Sequence, residues 1–357
     1  MKQNSIDKQN ITASVILPVY NQERFLSAAI ESIINQKLPN EYVIEIIIID
    51  DGSTDSSAQI IKNYQKSDSR IIFISHDKNL GIATALNKGI SLAQGKYIIR
   101  MDADDISLSD RFIKQINFME KNPEIGICGS AIIVINEHDE ELGINTYPAD
   151  HQSIRHAIIL DAAFSHPSVI IRKSVLQKEG LLYDESFLRA QDFELFNRMV
   201  EATTSYNLSE PLIKYRTYTG KETSDLTLHF SNLMRKRNFQ KLNLSEVEID
   251  QNMDAIYCLN YRRGRINQQQ FENLVSLCCK LYKNYCHNHN KKSDALLAQF
   301  LHSRICKIVY RSLIIDSNTL RKKIKNLQLV NKRFPTNPKL ISMITQFPKL
   351  LLKRSSK

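Results

Sequence analysis

The sequence predicts an α/β protein: an open, mainly parallel sheet flanked by helices, followed by a basic all-helical C-terminal extension. Three observations predict it. Short, nearly unbroken apolar segments alternate with amphipathic ones through the first two thirds of the chain. Three apolar segments stop at polar loops, Tyr20-Asn21, Asp50-Asp51 and Asp102 to Asp104, as strands of such a sheet do at their ligand-facing edge. Charge also divides along the chain. Residues 1–225 carry 23 Lys and Arg against 31 Asp and Glu, whereas residues 226–357 carry 25 against 7. Segments of opposite sign imply two jobs.

Ser14 to Leu17 reads as the first strand, followed by Pro18-Val19-Tyr20-Asn21. Asn21 is a plausible N-cap for a helix with the apolar face Phe25, Leu26, Ala29, Ile30, Ile33 and Ile34. Tyr42 to Ile49 is a second strand, apolar on both faces as in a sheet covered by helices on each side. It stops at Asp50-Asp51-Gly52-Ser53-Thr54-Asp55, a turn into a helix that runs to about Lys66. Ile71 to Ser75 is the third strand, and Asn79-Leu80-Gly81 opens a helix through Ala93 that Gly95 ends. Lys96 to Arg100 is the fourth strand. Ile125 to Ile135 is a long strand, with a hairpin at 136–143 and a helix near 151–160 beyond it. Phe164 to Arg172 enters another strand, Ala190 to Phe196 begins a helix, and Pro211 to Arg216 is the last strand. The polar stretch Thr217 to Asp225 marks the boundary. Past it Leu274, Leu277, Cys278 and Leu281 recur at helical spacing.

The organisation expected is a flexible N-terminus over 1–12, an α/β domain over 13–220 and a helical basic region over 226–357. A composition of 42% hydrophobic and 24% charged residues is that of a soluble globular protein. No stretch reaches the roughly 18 apolar residues of a membrane span. The first ten residues lack the apolar core of a signal peptide, which predicts a cytoplasmic protein. Five of the six cysteines lie beyond residue 257. Cys278, Cys279, Cys286 and Cys306, with His287, His289 and His302, contain no Cys-x-x-Cys pair, which favours small core thiols over zinc. The basic region carries no nucleic-acid recognition motif. Arg321 to Lys325 and Pro348 to Arg354 interleave basic and apolar residues, as segments lying on a membrane surface do.

Met101-Asp102-Ala103-Asp104-Asp105 sits at the end of the fourth strand. Residues two apart in an extended chain point the same way, so Asp102 and Asp104 share a face. Side by side, their charges repel unless a cation lies between them, and oxygen ligands suit Mg²⁺ or Mn²⁺. Asp105 and Asp110 fit equally well as helix caps.

The first-strand segment Ser14 to Asn21, Asp50 to Asp55, Asn79 to Ile82, Met101 to Asp105, His166-Pro167-Ser168 and Gln191-Asp192-Phe193-Glu194-Leu195 occur in the order seen in family 2 glycosyltransferases. The chain resembles that family over about residues 12–217. The resemblance implies the GT-A fold and inverting, metal-dependent transfer of a hexose or N-acetylhexosamine from a nucleotide sugar, a UDP-sugar first. The acceptor it implies is a glycan or lipid-linked glycan of cell-surface polysaccharide, such as lipopolysaccharide or capsule, at the inner face of a plasma membrane. By the same resemblance Pro18, Val19, Tyr20 and Glu23 border the nucleotide, and Asp51 accepts a hydrogen bond from its base. Asp102 and Asp104 hold the sugar-nucleotide and a divalent metal, Mn²⁺ or Mg²⁺, with Asp104 the direct ligand and His166 a lesser candidate. Asp192 matches the catalytic base. A carboxylate can take the proton of an attacking hydroxyl, and a divalent ion can neutralise a leaving diphosphate.

Two positions depart from the family. Gln191 stands where a glutamate is usual, and Tyr218 stands where many relatives place a histidine, which leaves the third metal ligand open. Other classes fit less well. A sugar nucleotidyltransferase needs a glycine- and arginine-rich loop after the first strand, and a dinucleotide enzyme needs G-x-G-x-x-G there; Pro18 to Glu23 offers neither. A silent nucleotide-sugar-binding protein has no need of Asp102, Asp104 and Asp192 together.

Overall fold

Strands β1 (Ala13–Val19) and β2 (Ile44–Asp50) are buried along their whole length, as strands must be when helices cover both faces and leave no wet side. This computed structural model describes residues 11–218, 224–252, 268–291, 293–301 and 304. Helix α1 (Leu26–Ile34) follows β1 and α2 (Ser57–Ser67) follows β2. Next come β3 (Ile71–Ser75), α3 (Ile82–Leu92) and β4 (Tyr97–Arg100). β1 pairs in parallel with both β2 and β4, and β2 with β3. Helix α1 buries Leu26, Ala29, Ile30 and Ile33, the stripe its spacing demands. Gly95 allows the chain entering β4 to pass close to β1, since a Cβ there would lie 2.5 Å from the Ser14 nitrogen.

The second half of the sheet is mixed. It comprises β5 (Ile106–Ser107), β6 (Ile125–Ile135), β7 (Glu141–Asn145), β8 (Ile170–Arg172) and β9 (Thr204–Arg216). Between them lie α4 (Arg111–Lys121), α5 (His151–Ala157), the short 3₁₀ turn His166–Ser168, α6 (Lys173–Glu179) and α7 (Gln191–Ala202). The strand order is β3-β2-β1-β4-β8-β6-β9-β5, with β7 paired to β6. β8 is antiparallel to both β4 and β6, while β6 and β9 are parallel. The strands β1 to β4, β6 and β9 therefore run one way, and β5, β7 and β8 the other. A single core of Ile, Val, Leu and Phe side chains spans both halves, from Val15 and Ile46 to Ile132 and Ile213.

Two local readings need correction, and two short elements had no reading. Asn21 does not cap α1: its backbone is left-handed at φ 51, and its Oδ1 accepts a hydrogen bond from the Thr54 amide at 2.8 Å. The helix starts later, after Phe25, with no side-chain cap. β5 and α6 carry too little periodic signal in two and seven residues to be read from sequence. β9 begins well before Pro211, and the ladder shifts register around that residue, because proline cannot donate to its neighbour.

The described residues fall into two compact units, one within 1–158 and 162–231, the other within 159–161 and 232–357. The second unit is helical: the end of α8 (Asp225–Lys241), α9 (Glu246–Asp250) and α10 (Gln268–Asn288). Ser245 and Glu248 form a reciprocal capping box at the start of α9. Leu274, Leu277, Cys278 and Leu281 are buried together with Phe239 and Leu297, and burial pushes the Cys278 thiol pKa upward. Among the described residues no helix is long and apolar enough to cross a membrane. The basic segments 321–325 and 348–354, with His302 and Cys306, lie outside the described residues.

Candidate active site

The polar loops after β1, β2 and β4 open on one edge of the sheet because those strands are parallel and in register. Val19 pairs with Asp50, and the Asp51 amide donates to the Val19 carbonyl at 2.8 Å. The first two loops are cross-tied. The Asn21 amide donates to Ser53 Oγ at 3.0 Å, the Gln22 amide to Ser57 Oγ at 2.9 Å, and the Ser56 amide to Glu23 Oε2 at 2.9 Å. Gly52 makes a third loop possible. Its φ is +72, and a Cβ there would lie 2.7 Å from the Asn79 nitrogen, so only glycine lets the 76–81 segment come this close.

A cavity of about 290 Å³ opens at this edge, its walls including Pro18, Val19, Tyr20, Asp51, Asp102 and Asp104. The sequence named all six. Glu23 is not among the walls; its carboxylate is engaged with the Ser56 amide. Asp51 does more than line the cavity. Its Oδ1 accepts from His76 Nδ1 at 2.8 Å and from the Leu80 amide at 2.9 Å, and its Oδ2 from the Gly81 amide at 2.8 Å. Three protein donors thus hold it, and of the roughly four lone-pair directions of a carboxylate one stays open.

Asp102, Asp104 and Asp105 bring carboxylate oxygens within 4.8 Å of one another. Each is held differently. Asp102 forms an ion pair with the buried Arg100. Asp104 Oδ2 accepts from the Tyr218 hydroxyl at 2.7 Å. Asp105 Oδ1 accepts from the Arg216 amide at 2.8 Å, while its Oδ2 is buried without a hydrogen-bond partner among the described residues. Burial and the neighbouring Asp102 charge raise the Asp104 pKa, and burial with both neighbours raises that of Asp105 well above the usual range. Three crowded carboxylates, one with an orphaned oxygen, form a donor set that a hard divalent cation fits, since its charge would reverse those upward shifts.

Arginines fix the cluster from behind. Arg216 Nε donates to the Asp104 carbonyl at 2.8 Å and Nη1 to the Asn136 carbonyl at 2.9 Å, and Nη2 pairs with Asp139 at 2.7 Å. Its guanidinium lies 4.2 Å from the Phe25 ring centroid. Arg111, fully buried on α4, donates to the Arg100 carbonyl at 3.0 Å and to Gln115 at 2.9 Å, and Gln115 donates to the Ser168 carbonyl at 2.7 Å. Burial, reinforced by Arg100, pushes the Arg111 pKa down to about 9.

Asp192 stands in the first turn of α7 and keeps part of its surface open, though it is not a wall of the cavity. Burial raises its pKa; the Phe193 amide and the Arg100 charge oppose that, and Asp102 adds to it. It therefore shares the field of the acidic cluster. His166 belongs elsewhere: its Nε2 lies 2.7 Å from the Tyr183 hydroxyl, and burial with the Arg100 charge depresses its pKa well below the usual value. Among the described residues the carboxylate cluster contains no histidine, so His166 is not brought to the metal position.

Residues 14–178 match Glycosyl transferase family 2. An uncharacterized glycosyltransferase of Methanocaldococcus jannaschii is 35% identical over 206 residues, covering 57% of this chain and 70% of the relative. The chain belongs to this family of glycosyltransferases. The amylovoran biosynthesis glycosyltransferase AmsE of Erwinia amylovora is 30% identical, covering 57% of this chain and 75% of its own. A crystal structure of S. aureus TarS 1–349 in complex with UDP-GlcNAc superposes with a TM-score of 0.55 at 16% identity, covering 92% of this chain and 93% of that one. The likeness is one of fold, and the sheet described above is that of the GT-A class.

Sequence reasoning missed several features of this glycosyltransferase site. Arg189 is a cavity wall, but the loop that carries it has no periodicity to announce it. His76 holds Asp51 from an unremarkable strand end. Arg100, the last residue of the fourth strand, pairs with Asp102. At Tyr218, the position where a histidine is usual, the hydroxyl reaches Asp104 directly.

Proposed function

We propose that this glycosyltransferase transfers a hexose or N-acetylhexosamine, with inversion, from a nucleoside diphosphate sugar to a glycan or lipid-linked acceptor in cell-surface polysaccharide synthesis. The observation that carries it is the convergence of the Pro18-Val19-Tyr20 loop, Asp51, Asp102 and Asp104 on one cavity. The remaining lone pair of Asp51 faces a donor such as a base imide. Apolar and aromatic surface from Val19 and Tyr20 suits a flat base. Asp104, with Asp102 beside it, would hold Mn²⁺ or Mg²⁺, which when bound supplies positive charge against the leaving diphosphate. Asp192 takes the proton from the acceptor hydroxyl as it attacks, and its raised pKa makes it a better base than an ordinary aspartate. No covalent intermediate is needed.

UDP-sugars are the first donors to test, a choice supported by the TarS complexes with UDP and with UDP-GlcNAc. The polysaccharide class is supported by the amylovoran relative. Action at the inner face of a plasma membrane follows from a lipid-linked acceptor and from the basic composition past residue 226. The test is a thermal-shift and hydrolysis screen of UDP-, GDP- and dTDP-sugars with Mn²⁺. One nucleotide should stabilise the protein well above the others, and only with the metal. Equal behaviour across the panel would refute the reading.

A further inference from the structure

Among the described residues, Arg100, Arg111 and Arg216 stand against the acidic cluster as buried side chains in contact with protein groups. Arg100 is paired with Asp102. Arg216 is divided among the Asp104 and Asn136 carbonyls and Asp139. Arg189 differs. It is, among the described residues, the single cation in a cavity wall that also carries Asp51, Asp102 and Asp104, and it is exposed. Among the described residues its guanidinium has one hydrogen bond, from Nη1 to the carbonyl of its own neighbour Leu188 at 3.0 Å. Four of its five N–H donors are left for a ligand.

The segment carrying Arg189 is held firmly. Asn87 donates to the Tyr183 carbonyl and accepts from the Tyr183 amide, both at 2.9 Å. Arg198 donates to the Leu182 carbonyl at 2.6 Å, and Phe187 is buried. At its far end Ala190 adopts the left-handed conformation, φ 55 and ψ 24, which a residue with a Cβ adopts only against a steric penalty. That bend turns the chain so that Arg189 reaches the cavity wall while the next residues open α7 and deliver Asp192. A cavity lined by three carboxylates repels an anionic ligand unless a cation answers it, and a guanidinium fork matches phosphate oxygens.

We propose that Arg189 binds the diphosphate of the donor and is the protein contact that distinguishes a nucleoside diphosphate from its monophosphate. The inference rests on the donor reading above. It also joins donor and base mechanically: phosphate contact and proton acceptor lie three residues apart, on either side of one strained alanine.

The test is calorimetric titration of the full chain and its Arg189→Gln and Arg189→Lys variants with UDP and with UMP, in Mn²⁺. Should the screen favour GDP or dTDP, that di- and monophosphate pair replaces UDP and UMP. The expected result is a loss of about tenfold in diphosphate affinity for Arg189→Gln, as removal of a charge-assisted hydrogen bond gives. Monophosphate affinity should change less than about twofold, and Arg189→Lys should recover part of the loss. The difference should shrink as salt rises, since the contact is exposed. Unchanged diphosphate affinity in Arg189→Gln overturns the proposal, and so does an equal loss on both nucleotides. If the wild-type chain binds no nucleoside diphosphate at all, the donor reading itself fails and takes this inference with it.

Discussion

The two halves of the sheet differ in how they are built and in what they contribute. From β1 to β4 the chain repeats one local unit, strand then helix, and every strand runs the same way. Its carboxyl edge therefore collects Pro18 to Tyr20, Asp51, Asp102 and Asp104 almost automatically. From β5 to β9 the pairing is mixed, and the partners β6 and β9 are far apart in sequence. This half supplies Arg216 and Tyr218, which reach back 111 and 114 positions to Asp105 and Asp104, and it supplies α7 with Asp192. The difference teaches a division of labour. Local repetition gathers the carboxylates and loop of the cavity, and long-range pairing holds them and adds Asp192, the base of the proposed reaction.

The largest expected effect would separate the halves. Asp192→Asn should lower turnover by about 10²–10⁴-fold, the usual contribution of a general base, while donor affinity stays near that of the wild type. Asp104→Ala should instead abolish the metal-dependent part of donor binding. Robust transfer by Asp192→Asn would remove that residue from the base role and break the comparison at its centre. The pH profile sharpens it. Because burial raises the Asp192 pKa above the ordinary aspartate value of 3.8, kcat/KM should fall as pH drops through a value above that, where the base becomes protonated.

Next in size is a matched pair of glycine substitutions read by chemical denaturation. Gly52→Ala in the first half combines a left-handed backbone with a collision against the Lys78-Asn79 backbone, so a loss of about 3 kcal/mol is expected. Gly180→Ala ends α6 in the second half at φ +62 with open space around the new Cβ. Only the backbone penalty applies there, about 1 kcal/mol. Similar losses in the two variants would show that the close approach of the 76–81 segment does not restrain the first half.

The same division decided what could be read from the sequence. Ile71 to Ser75 and Ile125 to Ile135 have the expected bounds, because a buried strand is written in consecutive apolar residues. The cavity walls from Pro18 to Asp104 were legible because each sits at the end of such a strand. Arg189, His76 and Arg111 were not, since their significance arises from what lies against them in space. Asn21 misled because asparagine favours a helix cap and a left-handed turn alike; the neighbouring Ser53-Thr54 loop decides between them. His166 next to proline was a lesser candidate ligand, and only the fold shows the Tyr183 hydroxyl against its Nε2.

A smaller effect tests whether the second half tunes the first. Tyr218→Phe removes the hydroxyl that donates to Asp104 Oδ2 without changing the carboxylate itself. A hydrogen bond to a charged group contributes about 1.5–3 kcal/mol at most sites, and partial exposure here puts the expected loss nearer 1 kcal/mol. Metal-dependent donor affinity should fall about fivefold, with thermal stability nearly unchanged. Unaltered affinity would mean that the first half sets the Asp104 charge by itself.

The smallest effect concerns stability alone. His166 is held neutral by burial, its folded pKa lying well below the ordinary histidine value of 6.5. Between those two values the unfolded chain binds a proton that the folded one refuses. Stability must therefore decline as pH falls below 6.5 and continue to decline towards the folded pKa. Replacing His166 with Asn removes this contribution while leaving the Asp105 one, whose raised pKa acts in the opposite direction: protonation there favours the folded state as pH falls. The His166→Asn variant should thus show a flatter fall of unfolding free energy below pH 6.5 than the wild type, whatever its stability at neutral pH. A parallel decline in the two proteins would mean that His166 can take up a proton without unfolding, and that the packing between the 3₁₀ turn and Tyr183 is looser than the parallel half it adjoins.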